Sequence, residues 1–277
     1  MGKALSDQQV RDFREQGFLA PVPVMPTVDA AGFRARLEAY EERTGRKLES
    51  NLRHKVNLLF TWCDELVRHP RILDAVEDLI GENILCWNVH LFAKEPDHHS
   101  FVSWHQDSTY WGLDPADVVT AWVALSDSSE HSGCMQVIPG THRGEQIPHV
   151  DTFHKDNLLS RGQEIAVDVD EARAVALVLR PGEMSLHHIK MVHGSKPNRS
   201  QDRRIGVAIR YMPTHVRQLN FRDSAMLVRG TDAYGHFDED PRPRADMDPA
   251  AVQAHTAAVS RVISGLMDGT GKTAFRA

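Results

Sequence analysis

Cysteine is scarce: of 277 residues only Cys63, Cys86 and Cys134 carry a thiol, and no two stand in CxxC spacing. A disulfide framework and a structural zinc site are thereby excluded. Positive charge is not in excess either, since 32 Lys and Arg face 38 Asp and Glu for a net charge of −6. No basic cluster dominates any segment, so the electrostatic footprint of a nucleic-acid binder is missing and no nucleic-acid partner is expected. No run of about 18 apolar residues occurs, which argues against a membrane span. The opening MGKALSDQQV lacks the apolar stretch of a signal peptide, and with reduced thiols this leads to the expectation of a cytoplasmic protein. Repeats of fixed period and low-complexity segments are also missing. What remains is an ordinary globular composition, 41% hydrophobic and 25% charged, for which one large core is expected, as a monomer or homodimer.

Helices come first. Ser6-Asp7-Gln8-Gln9 reads as a capping box that opens a helix to about Gln16, stopped by Gly17. After a Pro-rich connector, Ala20–Pro26, Asp29–Arg46 places Phe33, Leu37 and Tyr40 on one helical face. A further helix starts at His69-Pro70, turns Ile72, Val76 and Leu79 inward, and ends at Gly81. From Ile84 the pattern becomes β-prone, with strands predicted at Ile84–Phe92, Val118–Leu125, Met135–Ile138, Ala174–Leu179, Met184–His188 and Ile205–Tyr211. Helices followed by many short strands indicate an α+β, mainly β chain built on one sandwich or barrel. The charged, turn-rich stretch 143–170 suits a lid or side flap, and its His149, Asp151 and His154 read as scattered surface groups more than as a second metal site. Past Pro213 a polar stretch, Asp238–Asp248, precedes a terminal helix, Pro249–Met267, expected to pack outside the sheet. The expected organisation is a single domain over 1–277, with a helical part at 1–82, a core at 83–213 and an extension at 214–277.

The chemistry concentrates in Ser103–Leu113, SWHQDSTYWGL. Read as a strand, this stretch puts His105 and Asp107 on one face, about 7 Å apart along the backbone. With one more histidine the pair forms the 2-His-1-carboxylate triad that holds non-haem Fe(II) and leaves coordination positions open. His187, His188 and His193 all lie in one downstream segment. H-x-D alone is a weak signal, and a solvated polar strand explains it as well.

The downstream segment makes the pattern specific. His193-Gly194-Ser195 followed by Asn198, Ser200 and Arg204 resembles the distal signature of the phytanoyl-CoA dioxygenase-like family of Fe(II)- and 2-oxoglutarate-dependent oxygenases, in which an arginine follows the distal histidine by eleven positions. The resemblance covers about Val10 to Pro213. It implies a double-stranded β-helix (a cupin-like jelly roll) with the N-terminal helices packed on the sheet. It also implies Fe(II), with 2-oxoglutarate as co-substrate and O2, and metal ligands His105, Asp107 and His193. Arg204 would meet the far carboxylate of 2-oxoglutarate, where a guanidinium offers a two-pronged match; Ser195 would add a hydroxyl, Trp122 would line the pocket and Lys55 would reach the co-substrate. Halogenating members carry a small residue where this chain has Asp107, so hydroxylation with release of succinate and CO2 is expected. A metal-binding jelly roll acting as an isomerase, or without turnover, would share the histidines but would not need Arg204.

Two further readings concern small molecules. Cys86, Asn88, His90 and Phe92 share a strand face by alternation, and an inward Asn88 amide would need a partner in co-substrate or substrate. Trp104, Tyr110 and Trp111 are dense beside the H-x-D pair, and aromatic faces attract ammonium groups. The expected substrate is thus a small, amine-bearing metabolite such as an amino acid or aminophosphonate, with an acidic group met by Arg210 or Arg217. The alternative is an acyl-CoA or natural-product precursor.

Overall fold

Ser6 caps the first helix as its sequence requires. In the computed structural model, which describes residues 2–267, its hydroxyl accepts the Gln9 amide while the Gln9 side chain accepts the Ser6 amide. Helix α1 (Asp7–Gln16) ends at Gly17, whose φ of 83° is a conformation that favours glycine. The expected connector then departs from the prediction: Phe18–Pro23 is a strand, β1, at one edge of the larger sheet. An edge strand can tolerate Pro21 and Pro23 because it need not donate along its whole length, and the register breaks between Leu19 and Val22. Helix α2 (Thr27–Thr44) buries Leu37 and Tyr40. Short 3-10 turns at Ser50–Arg53 and Val56–Leu58 lead into α3 (Thr61–Val67), and α4 (Pro70–Ile80) begins on its proline and stops at Gly81.

The strands follow: β2 (Ile84–Lys94), β3 (Val102–His105), a one-turn helix α5 (Ser108–Trp111), β4 (Leu113–Asp114), β5 (Val119–Ala124) and β6 (Met135–Val137). The 143–170 stretch folds as a hairpin of β7 (His149–Asp151) and β8 (Gln163–Ile165). Of the predicted strand Ala174–Leu179 only β9 (Val175–Ala176) is regular, pairing resuming as one bridge between Leu179 and Ser128. β10 (Glu183–His188), β11 (His193–Ser195) and β12 (Arg204–Pro213) complete the core, and β13 (Arg217–Gln218), β14 (Ser224–Arg229), β15 (Asp238–Glu239) and α6 (Pro249–Leu266) lie beyond it.

Two sheets face each other, in the orders β1-β10-β5-β12-β2-β14-β15 and β3-β11-β6-β9. Mainly β and jelly-roll-like, this is the architecture the resemblance implied. One face of the larger sheet, with Val89, Val123, Ile205, Val207 and Ile209, packs into a single apolar core with the N-terminal helices. The opposite face looks toward the smaller sheet. The expected 83–213 core is too narrow, because β1 and β14 both belong to the larger sheet. Helix α6 also departs from expectation, settling on the 50–58 turns, where His255 Nε2 lies 2.8 Å from the His54 carbonyl. Residues 268–277 of the expected extension lie outside the described residues.

Candidate active site

β3 and β11 run antiparallel with His105 directly opposite His193. Each ring is oriented by the carbonyl two residues before it: His105 Nδ1 lies 2.9 Å from the Ser103 carbonyl and His193 Nδ1 2.9 Å from the Met191 carbonyl. A carbonyl accepts only, so both Nδ1 atoms carry the proton and both Nε2 lone pairs are free for a metal. Asp107 arrives differently from the prediction. β3 ends at His105, and Asp107 sits in helical conformation (φ −60°, ψ −33°) before α5, so turn geometry and not strand alternation brings its Oδ1 to 3.4 Å from His105 Nε2. One ligand atom from each of the three residues lies within 4.8 Å of the others, and all three are buried. Burial alone would raise the Asp107 carboxyl, but contact with His105 and the nearby Arg210 guanidinium outweigh it and hold the group below the usual carboxylate range. Burial keeps His193 neutral, well below the ordinary histidine value.

The other two candidate histidines separate clearly. His188 turns toward His142, its Nδ1 accepting the Lys190 amide. His187 is buried with its ring 4.9 Å from that of His193, outside the three-residue cluster, and its Nδ1 has no partner.

Behind the cluster a cavity runs between the sheets to Arg204. The guanidinium is 2% exposed, 5.1 Å from the Trp122 ring, in no ion pair among the described residues, and its Nε has no hydrogen-bond partner. Trp122 lies flat across Gly206, where any Cβ would stand 1.9 Å from the indole, so the arginine and the ring share this wall only because Gly206 has no side chain. Ser195 lines the same cavity, and its Oγ accepts from Lys94 Nζ at 2.6 Å. Lys94, opposite Arg204 in register, also donates to the Gly133 and Lys196 carbonyls. Burial and then the charge of Arg204 push the Lys94 pKa down to about 5, against a smaller opposing effect of the Cys134 thiol. With Lys94 occupying its lone pair, the Ser195 proton can point into the cavity. An unpaired guanidinium and a hydroxyl donor in a buried pocket form a receptor for a carboxylate. This donor set fits the far end of 2-oxoglutarate, as the histidine and aspartate donors fit Fe(II).

A second, small cavity adjoins the first, sharing Phe92, Asp107 and Arg210 with it, and is lined further by Asn88, His90 and Trp111 and by Leu159 and Gln163 of the hairpin segment. The hairpin is tied down at the ligand loop: Gln106 Oε1 accepts the Ile147 amide at 2.8 Å, and His149 Nε2 accepts the Gln106 amide at 2.9 Å. Asn88 faces inward, but its Oδ1 is taken by the Lys55 amide at 3.3 Å. Cys86 does not share its face. Pairing with β12 slips between Asn88 and Cys86, so Trp87 is an extra, bulged residue and Cys86 joins the helical core.

Four expected residues stand elsewhere. Lys55 Nζ is committed to Asp240 at 2.6 Å and to the Ser224 carbonyl at 2.9 Å, and it is away from either cavity. Trp104, next to His105 on the strand, points to the opposite side and donates to Glu171. Tyr110 donates to Asp151 at 2.7 Å, with Arg161 over its ring. Arg217, the alternative to Arg210, pairs with Asp114 on the surface. Lys94 was missed, because AKEPD reads as the start of a loop.

Two facing sheets with two histidines, one carboxylate and a buried arginine between them define a class, the jelly-roll oxygenases that use a non-haem metal and 2-oxoglutarate. Comparison with known proteins makes this particular. Residues 13–206 match phytanoyl-CoA dioxygenase (PhyH), and the chain belongs to that family of Fe(II)- and 2-oxoglutarate-dependent oxygenases. It is 33% identical over 189 residues, 66% of this chain, to a Stutzerimonas stutzeri protein named "Probable alpha-ketoglutarate-dependent hypophosphite dioxygenase", of which it spans 65%. It is 29% identical over 231 residues, 75% of this chain and 68% of the other, to the Homo sapiens "Phytanoyl-CoA dioxygenase, peroxisomal". A solved structure, "non-heme monooxygenase; ThoJ apo", superposes with a TM-score of 0.80 at 37% identity, covering 91% of this chain and 95% of that one. No helix among the described residues is long and apolar enough to cross a membrane.

Proposed function

We propose that this chain is an Fe(II)- and 2-oxoglutarate-dependent dioxygenase that hydroxylates a C–H bond of a small polar metabolite and releases succinate and CO2. The observation that carries the reading is the pairing of the His105, Asp107 and His193 cluster with an unpartnered buried guanidinium at the far end of the same cavity. His105, Asp107 and His193 would hold the metal, which when bound with 2-oxoglutarate supplies the oxidising chemistry. Arg204 and the Ser195 hydroxyl would fix the far carboxylate, and Trp122 would wall the chain between. The hairpin tied through Gln106 and His149 would help to shield the cavity beside Asp107 from water.

The small-metabolite reading is supported by the cavity beside Asp107, about 50 Å3 and walled in part by Leu159 and Gln163. A long acyl chain has no tunnel there. The hypophosphite named for one relative is likewise small. The amine part of the expectation loses most of its basis, since Trp104 and Tyr110 point away and only Trp111 remains at the cavity. Anaerobic addition of Fe(II) and then 2-oxoglutarate should raise the weak visible metal-to-ligand charge-transfer band, and a substrate panel should couple succinate release to a product heavier by one oxygen. A metal-dependent isomerase would show neither.

A further inference from the structure

We infer that the cavity beside Asp107 receives a small anionic substrate group, a carboxylate or a phosphonate, held by Arg210; this rests on the oxygenase reading and names its substrate class. Arg210 follows Arg204 by six residues on β12, so alternation turns both to the same face. Its guanidinium lies 5.2 Å from the Trp111 ring and 5.9 Å from the Phe92 ring, and the residue is 7% exposed. Nε has no partner, Nη1 makes one long bond of 3.4 Å to the Ala208 carbonyl, and no carboxylate among the described residues forms an ion pair with it. Asp107 is the neighbouring negative charge, yet it stays outside ion-pair distance and is drawn to His105 instead. A guanidinium out of water keeps its charge, and with its donors unmet it destabilises the fold until an anion arrives.

The remaining walls agree. His90 is buried with its Nε2 unpartnered, Asn88 is an amide, and Trp87 and Trp111 are apolar faces, so Asp107 is the only acidic group lining the cavity among the described residues. The lining thus offers donors and one fixed positive charge, with nothing to meet a second cation. The co-substrate does not account for Arg210. Arg204 already provides a receptor for the far carboxylate, and six strand residues place the two arginines' backbones about 20 Å apart, so that Arg210 borders both the cavity that runs to Arg204 and the one beside Asp107. A cavity of about 50 Å3 admits a group of a few heavy atoms.

The test uses the full chain loaded anaerobically with Fe(II) and 2-oxoglutarate, and reads binding by calorimetry and by perturbation of the charge-transfer band. Acetate, methylphosphonate and the neutral acetamide are the probes. Saturable binding of acetate or methylphosphonate, absent with acetamide, supports the inference, and the stronger of the two anions identifies the group. Arg210→Met should then weaken that anion by roughly tenfold or more, as expected for a lost charged hydrogen bond, while the 2-oxoglutarate midpoint stays within about twofold; Arg210→Lys should recover part of the loss. Equal binding of acetamide by the wild-type chain overturns the inference without any variant. So does an Arg210→Met protein whose loss falls on 2-oxoglutarate, since Arg210 would then serve the co-substrate. If no band forms with Fe(II) and 2-oxoglutarate, the oxygenase reading fails and takes the inference with it.

Discussion

The two sides of β12 put buried residues to opposite uses. On the helical side Ile205, Val207 and Ile209 close a core in which each apolar surface meets another, and the nearby buried cation Lys55 is fully matched by Asp240 and Ser224. On the cavity side Arg204 and Arg210 are just as deeply buried, yet their Nε atoms have no partner and neither joins an ion pair among the described residues. Native structures leave few buried polar groups unmatched. The helical side has its own unmatched atoms, such as Trp62 Nε1 and Asn57 Oδ1, but its buried Lys55 is paired; the unpaired guanidinium charges mark where free energy is left for anionic ligands to supply.

The largest effect should come from the three clustered residues. Ala at His105, Asp107 or His193 should abolish iron-dependent 2-oxoglutarate turnover in a chain that still folds, while His187→Ala keeps measurable turnover, both read as succinate release with circular dichroism as the control. An inactive His187→Ala beside an active His193→Ala would reassign the ligand. Next in size is the matched cation: Lys55→Met leaves Asp240 buried and uncompensated and should lower stability by about 3–5 kcal/mol in denaturant unfolding. The 2-oxoglutarate requirement of the folded fraction should not move. Arg204→Met is the converse. It should raise the 2-oxoglutarate requirement by about 1.5–3 kcal/mol while leaving the unliganded fold as stable as before, or more so. Should Arg204→Met and Lys55→Met destabilise the unliganded chain equally, the contrast between the two sides would be wrong.

Legibility in the sequence followed the same division. Local signals were enough for α1, whose capping box and terminal glycine act within a few residues, and for α4 between Pro70 and Gly81. The paired sheets and the oxygenase class came from the spacing of His105, Asp107, His193 and Arg204, a pattern carried by residue identity alone. Pairing across the chain was not legible. β1 was hidden by prolines that only an edge position excuses, and β14 by its distance in sequence from β2. The bulge at Trp87 reversed Cys86, because alternation holds only while the register does. Lys55 and Lys94 show the limit most directly: both are buried lysines, and only the fold reveals that Asp240 claims one while Ser195 and two carbonyls claim the other.

The most gradual effect should appear with acid. Burial holds His54 and His90 well below the ordinary value near 6.5, and burial followed by His142 brings His188 down to about 4. These side chains are neutral in the folded chain at neutral pH, whereas unfolded they bind protons as the pH drops below about 6.5. A depressed folded pKa means that the unfolded state takes up the proton first, so stability is fully present above about 6.5 and falls as pH falls, each group adding a slope of up to about 1.4 kcal/mol per pH unit until its folded value is passed. For His188 that window runs from 6.5 down to about 4. Denaturant unfolding of the metal-free chain across this range should show the decline, and His188→Gln, which cannot titrate, should lessen the slope by one proton's worth. An unchanged slope would mean that His188 protonates in the folded chain as readily as in the unfolded one, and that burial beside His142 does not keep it neutral.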